Sequence, residues 1–136
     1  MDYLMSWLSE NAPKGAEYTK TTIVHGDFRL DNCVFHPTEV RIIAVLDWEL
    51  STLGNPYADL GTTAAIYHQP VGNRLPGLGN FDKGFSGIPT EHKMRLMYET
   101  KMGMKEEISE AMWSYALTFA MFKMAAICQG VYKRAI

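Results

Sequence analysis

A chain of 136 residues with 47% apolar residues and a formal net charge of -2 has the size of one folding unit and the composition of an ordinary globular protein. No basic surplus points to nucleic acid or an anionic membrane surface as a partner. Two cysteines, Cys33 and Cys128, are too few for a disulfide framework or a four-ligand zinc site and lean toward a reducing compartment.

Asp2 stands where a signal peptide carries its basic region, and no long apolar run follows it, so secretion is not expected. Leu4, Trp7 and Leu8 recur at helical spacing, which predicts a short helix over residues 3 to 11, broken by Asn11, Ala12, Pro13 and Lys14. The β-branched run Thr21-Thr22-Ile23-Val24 reads as a strand that stops at His25-Gly26-Asp27. Cys33-Val34-Phe35 and the run from Arg41 to Leu46 read as a β-hairpin around His36-Pro37-Thr38. The chain then reads as loop through Gly54-Asn55-Pro56, and a helix from Tyr57 to Tyr67 starts on Pro56.

Gly and Pro crowd the segment from Gln69 to Pro89, which reads as a long irregular connection. Thr90 is the expected N-cap of a helix whose apolar contacts come from Met94, Leu96, Met97 and Tyr98 and which ends before Gly103. A last helix is expected from Lys105 or Glu106, with Trp113, Ala116, Leu117, Ala120, Met124, Ile127 and Val131 on one apolar face; it reads as nearly buried. Met112 to Cys128 is interrupted by Ser114, Tyr115, Thr118 and Lys123, so no membrane span is expected there. His36, His68 and His92 are scattered and read as surface or satisfied histidines.

The informative string is His25-Gly26-Asp27-Phe28-Arg29-Leu30-Asp31-Asn32, followed beyond the hairpin by Leu46-Asp47-Trp48-Glu49. His-x-Asp, four residues, Asn, and then a second Asp ending an apolar strand is the layout of a kinase catalytic loop with its metal-binding partner. Phosphoryl transfer asks a protein to place an acceptor hydroxyl and to neutralise phosphate charge through metal ions. Asp27 can accept the acceptor's proton, Asn32 can offer a neutral carbonyl oxygen to magnesium, and Asp47 can supply the charged magnesium ligand. Turn capping alone would account for Asp27, Asp31 and Asn32. It would not call for a second strand-terminal Asp at this distance. Arg29 reads equally as a phosphate or acceptor contact and as the ion-pair partner of a neighbouring carboxylate. Asp31 reads as turn chemistry, and Glu49 as solvated or hydrogen-bonded.

These residues resemble the aminoglycoside phosphotransferase and choline kinase-like superfamily. Val24 to Asn32, Val45 to Pro56 and Gln129-Gly130-Val131-Tyr132-Lys133-Arg134 are similar to the kinase domain joined to an acyl-CoA dehydrogenase in larger proteins. The resemblance implies an α+β, protein-kinase-like C-terminal lobe over residues 1–136, mostly helical, with a short β-hairpin at the active-site edge. It implies Asp27 as the catalytic base, Asn32 and Asp47 as magnesium ligands, and His25 as the brace of the loop. Asp59 is similar to the aspartate that ties a helix N-terminus to the loop backbone. ATP with Mg2+ would act on a hydroxyl of a small molecule, a hydroxyacyl-CoA for the dehydrogenase-linked relatives. The N-terminus, the cysteines and the interrupted apolar stretch read as an intracellular, soluble protein, and the resemblance adds mitochondrion or peroxisome as its compartment.

Only about two dozen residues precede His25, so the glycine-rich loop and strand lysine that grip nucleotide in such kinases are not expected in this chain. An isolated lobe would then be inactive without that N-terminal lobe or its fused dehydrogenase domain, and its apolar surface would be exposed. Two rivals stay open at this point: a catalytically inactive, pseudokinase-like interaction module, and a metal-dependent phosphohydrolase built on Asp27 and Asp47.

Overall fold

The computed structural model describes residues 1–14, 21–70, 72, 77–79, 87–104 and 107–135. Among the described residues, four α-helices and four short strands follow in the order α1 (Asp2–Glu10), β1 (Thr22–Val24), β2 (Cys33–Phe35), β3 (Ile42–Val45), β4 (Thr52–Gly54), α2 (Tyr57–Ala64), α3 (Glu91–Lys101) and α4 (Glu110–Ala135). The class is α+β and mostly helical, as the sequence implies. The 3-10 turns Leu30–Asn32, Trp48–Leu50 and Ala65–His68 tighten the connections.

The strands form two separate antiparallel pairs. The predicted hairpin is present, with Cys33 opposite Val45, Val34 opposite Ala44 and Phe35 opposite Ile42, and an irregularity between Val34 and Phe35. Its turn is fastened by His36, whose backbone N–H donates to the Arg41 carbonyl and whose Nδ1 accepts the Glu39 amide at 3.0 Å. The other pair joins β1 to β4, Ile23 facing Leu53. The sequence reading placed residues 52–54 in a loop. Three residues ending in glycine carry no strand signal of their own, and it is the unsatisfied amides and carbonyls of β1 that recruit them.

The core lies between α2 and α4. Tyr57, Leu60 and Ala64 pack on Ile108, Met112, Trp113 and Ala116, with Met94, Tyr98, Met104 and Leu117 at the margin. Pro56 supplies a preset φ of -59° ahead of α2, and Asn55 Oδ1 accepts the Tyr57 amide at 2.9 Å. Small residues let the two helices approach closely. A Cβ on Gly61 would stand 2.7 Å from the Ala116 carbonyl oxygen and 2.9 Å from its carbon.

Thr90 caps α3 as predicted, its Oγ1 accepting the Lys93 amide at 3.2 Å. Met94 and Tyr98 of α3 pack against the core as expected, but charged residues share that face. Met97 is exposed, whereas Arg95 and Glu99 are buried. Arg95 lies 5.5 Å over the Trp113 ring and donates to Glu110 Oε1 at 2.8 Å; Trp113 Nε1 donates to Glu91 Oε1 at 2.7 Å. An arginine stem and its planar head can cover an indole face while the charge is paired, so α3 meets the core through polar chemistry as well as through Met94 and Tyr98.

The last helix begins at Glu110, later than expected, and is only half buried. Met112, Trp113, Ala116 and Ala120 are buried, while Ile127, Val131 and Tyr132 are exposed. By length and composition alone, the 26 residues from Glu110 to Ala135 could cross a membrane, contrary to the sequence expectation. Their first half packs on α2, as a core helix of a globular domain does. Most of the predicted irregular segment, and the expected helix start at Lys105 or Glu106, lie outside the described residues.

Gly61→Ala tests the α2–α4 contact. Alanine favours a helix over glycine by about 0.5–1 kcal/mol, but here its methyl meets backbone that cannot swing away. Overpacking of this kind costs about 1–3 kcal/mol. Denaturant melts are expected to show net destabilisation; a neutral or stabilised variant would mean that the helices can separate at little cost.

Candidate functional site

The loop from His25 to Asn32 is held by hydrogen bonds from four directions. Asp59, in the first turn of α2, accepts the His25 amide on Oδ2 at 2.7 Å and the Gly26 amide on Oδ1 at 2.9 Å. Charged acceptors make short, strong bonds to amides, so one carboxylate sets the direction in which the chain leaves β1. Gly26 then turns with φ +86°, and any Cβ there would collide with the Leu50 carbonyl oxygen. Both the left-handed backbone and the close approach of Leu50 require glycine.

His25 is 2% exposed, the largest fully buried side chain among the described residues. Its Nε2 lies 2.8 Å from the Leu46 carbonyl, and its Nδ1 accepts the Asp27 amide at 3.2 Å. An imidazole with its proton on Nε2 satisfies both contacts. The ring packs between Trp48, centroid 4.6 Å away, and Phe28, 5.9 Å away and nearly perpendicular. His25 therefore couples the loop to the end of β3 through one side chain.

The loop carbonyls are taken up in turn. Asn32 Nδ2 donates to the Asp27 carbonyl at 2.9 Å and lies 3.3 Å from Asp27 Oδ2. Thr63 Oγ1, on α2, donates to the Phe28 carbonyl at 3.0 Å. The Asn32 amide reaches the Arg29 carbonyl at 3.1 Å. Lys123 of α4 donates its Nζ to the Gly26 carbonyl. The Leu46 amide donates to the Asn32 carbonyl at 2.8 Å, which brings the end of β3 beside the end of the loop.

Asp47 follows at once with φ 65° and ψ 52°, the single positive-φ residue other than glycine among the described residues. Aspartate tolerates the left-handed region better than most residues. A strained aspartate at a strand end is a feature that clusters at functional sites. Asp47 is exposed, and no side-chain hydrogen bond to its carboxylate occurs among the described residues.

The structure thus gathers Asp27, Asn32, His25 and Asp59 into one network, with Asp47 joined to it through the Leu46–Asn32 bond. The donor set suits a hard cation. Asn32 spends its amide nitrogen on Asp27 and keeps its carbonyl oxygen, and Asp47 offers an uncommitted carboxylate. No cluster of three His, Cys, Asp or Glu occurs among the described residues. Magnesium needs only one or two protein oxygens when phosphates and waters complete its octahedron, so the residues present fit it.

Arg29 is decided in favour of the ion pair. Its Nε and Nη2 reach Asp31 Oδ1 and Oδ2 at 3.0 and 2.5 Å. The hydrogen bond from Arg29 holds the Asp31 carboxyl below its ordinary value, against a smaller opposing effect of burial, and Asp31 in turn raises Arg29. Asp31 is thus an ion-pair partner. Sequence reasoning did not single out Thr63, Trp48 or Lys123 for the site. Lys123 left a readable signal, because it lies three and seven residues beyond Ala120 and Ala116 and so falls on the buried face of α4. Thr63 left none.

Gly26→Ala should destabilise the chain by about 2 kcal/mol or more, since the left-handed cost of about 1–2 kcal/mol is joined by the collision with Leu50. Gly103→Ala is the control, with φ +65° and open space around it, and should cost no more than the left-handed term. Equal losses in urea titrations of the two variants would remove the close approach from the account.

Asp31→Asn tests the exposed pair. The folded carboxyl titrates below the ordinary value of 3.8, so its contribution is present above that pH and lost as pH falls through the folded value. Both side chains are more than half exposed, which limits the effect to under about 1 kcal/mol. The stability difference between wild type and variant should be small near neutrality and vanish in strong acid; a difference that grows toward acid would reverse the assignment.

Comparison with known proteins bears on the fold and the family. The model of the phosphotransferase enzyme family (APH) matches residues 1–96. Acyl-CoA dehydrogenase family member 10 of Mus musculus is 42% identical over 137 residues, a match covering 100% of this chain and 12% of that protein. Family member 11 of Homo sapiens is 41% identical over 134 residues, covering 98% of this chain and 16% of that protein. A crystal structure described as a candidate aminoglycoside phosphotransferase from Ralstonia eutropha JMP134 superposes with a TM-score of 0.86 at 44% identity, covering 98% of this chain and 39% of that one. The kinase-like fold and the likeness to dehydrogenase-family proteins are therefore as the sequence implied, and the chain spans well under half the length of each relative. With its family model matched across most of its length, this chain belongs to the phosphotransferase enzyme family.

Proposed function

We propose that the chain is the C-terminal lobe of an ATP- and magnesium-dependent phosphotransferase that acts on a hydroxyl of a small molecule. The observation that carries this reading is the pinned loop, with Asp59, His25 and Asn32 fixing Asp27 while the hairpin returns Asp47 to its side. In this reading Asp27 orients the acceptor hydroxyl and takes its proton. Asn32 and Asp47 hold magnesium through their oxygens. The metal, when bound, neutralises the charge of the transferring phosphoryl group. His25 and Asp59 touch no reacting atom and act by placing Asp27.

A hydroxyacyl-CoA is the acceptor we favour, because the dehydrogenase-family relatives carry acyl-CoA in their names. An aminoglycoside is the competing acceptor, from the description of the Ralstonia protein. We place the protein in an aqueous intracellular compartment, where Cys33 and Cys128 remain free thiols.

One further observation bears on the partner. Ile23 and Leu53, paired across β1 and β4, are 72% and 71% exposed, and Phe35, Ile42, Leu46, Trp48 and Leu50 are exposed too. Exposed apolar surface on both strand pairs supports an interface there. A nucleotide-binding lobe, in the same polypeptide or another, is the partner that completes the proposed enzyme. The same surface also supports the second reading, an interaction module without catalysis.

Calorimetric titration of the folded chain with Mg-ATP separates the two. Weak saturable binding that Asp47→Asn weakens at least tenfold, about 1.4 kcal/mol, while Asp27→Ala leaves it nearly intact, is the expected result. Binding that is absent, or indifferent to Asp47→Asn, would leave the interaction module as the better account.

A further inference from the structure

We propose that Lys123 is a positioning residue for the loop that carries Asp27, setting the tilt of the Gly26–Asp27 peptide from the far end of the sequence. The inference deepens the phosphotransferase reading and rests on it for its catalytic meaning, though not for its structural content.

The argument begins with one peptide unit. Its carbonyl belongs to Gly26 and accepts from Lys123 Nζ; its N–H belongs to Asp27 and donates to His25 Nδ1. A planar peptide gripped at both ends cannot rotate about its flanking bonds. The preceding unit is fixed by Asp59, which takes the Gly26 amide, and the following carbonyl by Asn32. Without Lys123 the Gly26 carbonyl would lose its charged donor at the one loop position whose glycine, φ +86°, leaves the backbone freest to turn.

Lys123 is suited to this in composition and place. It is part-buried on the same face as Met112, Ala116 and Ala120, where the pattern of α4 calls for an apolar residue. Among the described residues it makes no ion pair, although the site carries several carboxylates. A lysine stem packs along the apolar face while the ammonium reaches a carbonyl, and a charge-assisted bond to a neutral acceptor is stronger than one between neutral groups. Asp27 is thus braced by α2 through Asp59 and Thr63, by β3 through His25, and by α4 through Lys123. A shift of α4 would be felt at Asp27 through this bond.

The test compares wild type, Lys123→Met and Lys123→Arg. Amide hydrogen exchange read by NMR is expected to show protection of the Asp27 N–H falling at least tenfold in Lys123→Met, with the α2 and α4 core amides unchanged, and recovering in Lys123→Arg. Mg-ATP affinity, which rests on Asn32 and Asp47 and not on Asp27, should stay nearly intact in Lys123→Met, whereas a general loss of packing at this position would weaken it together with the core amides. Unchanged Asp27 protection in Lys123→Met, or an equal loss across the whole α2–α4 core, overturns the inference. Should Lys123→Met fail to fold, Lys123→Gln, which keeps a neutral donor, takes its place with partial loss at Asp27 expected and no loss overturning. Wild type that binds no Mg-ATP would remove the phosphotransferase reading, and the exchange data would still decide the clamp.

Discussion

One carboxylate on α2 governs the geometry of the site. By accepting two successive amides, those of His25 and Gly26, Asp59 converts the end of a three-residue strand into a defined turn and joins it to the best-packed helix of the fold. An ionised acceptor facing two backbone donors is hard to replace, because any neutral substitute leaves at least one part-buried amide poorly satisfied. The position of α2 is in turn set by its packing on α4, where Gly61 allows the backbones to approach. Placement of Asp27 is therefore inherited from helix packing, through Asp59, without any need for rigidity in the loop itself.

The division of labour within the fold follows. The helical core of Tyr57, Leu60, Ala64, Met112, Trp113 and Ala116 provides stability by apolar burial. The two-stranded pairs contribute little burial, since their large side chains are mostly exposed, and isolated strand pairs are marginal in water. What holds them is the polar net: His25 to Leu46, Leu46 to Asn32, Asn32 to Asp27. A site built this way leaves Asp47 exposed and Asp27 half-buried, over a buried His25 and the half-buried Asn32, Asp59 and Thr63.

Polar side chains on buried faces recur outside the site. Arg95 and Glu99 occupy the core-facing side of α3, and Lys123 that of α4. Arg95 covers Trp113 and pairs with Glu110, so burial of a charge is tolerated because its neighbours supply both an aromatic face and a counter-charge. Periodicity of apolar residues predicts where a helix faces the core. It cannot report that the core itself presents an indole ring or a backbone carbonyl.

The sequence by itself determined the family, the α+β class, the hairpin, the Thr90 cap and the order His25, Asp27, Asn32, Asp47, Asp59. Each is written locally, in turn residues, β-branched runs and a fixed spacing of oxygen-bearing side chains. It left open which partner Arg29 takes, and it misread residues 52–54, the place of Arg95 and Glu99 on the inward face of α3 and the burial of the last three turns of α4. Those depend on partners distant in the chain: β4 exists because β1 needs hydrogen bonds, Arg95 is buried because Trp113 lies beneath it, and the end of α4 is bare because no described element covers it. The bond from Lys123 to Gly26, across 97 positions, belongs to the same class. Local chemistry names the groups that can act, and only long-range packing decides which of them meet.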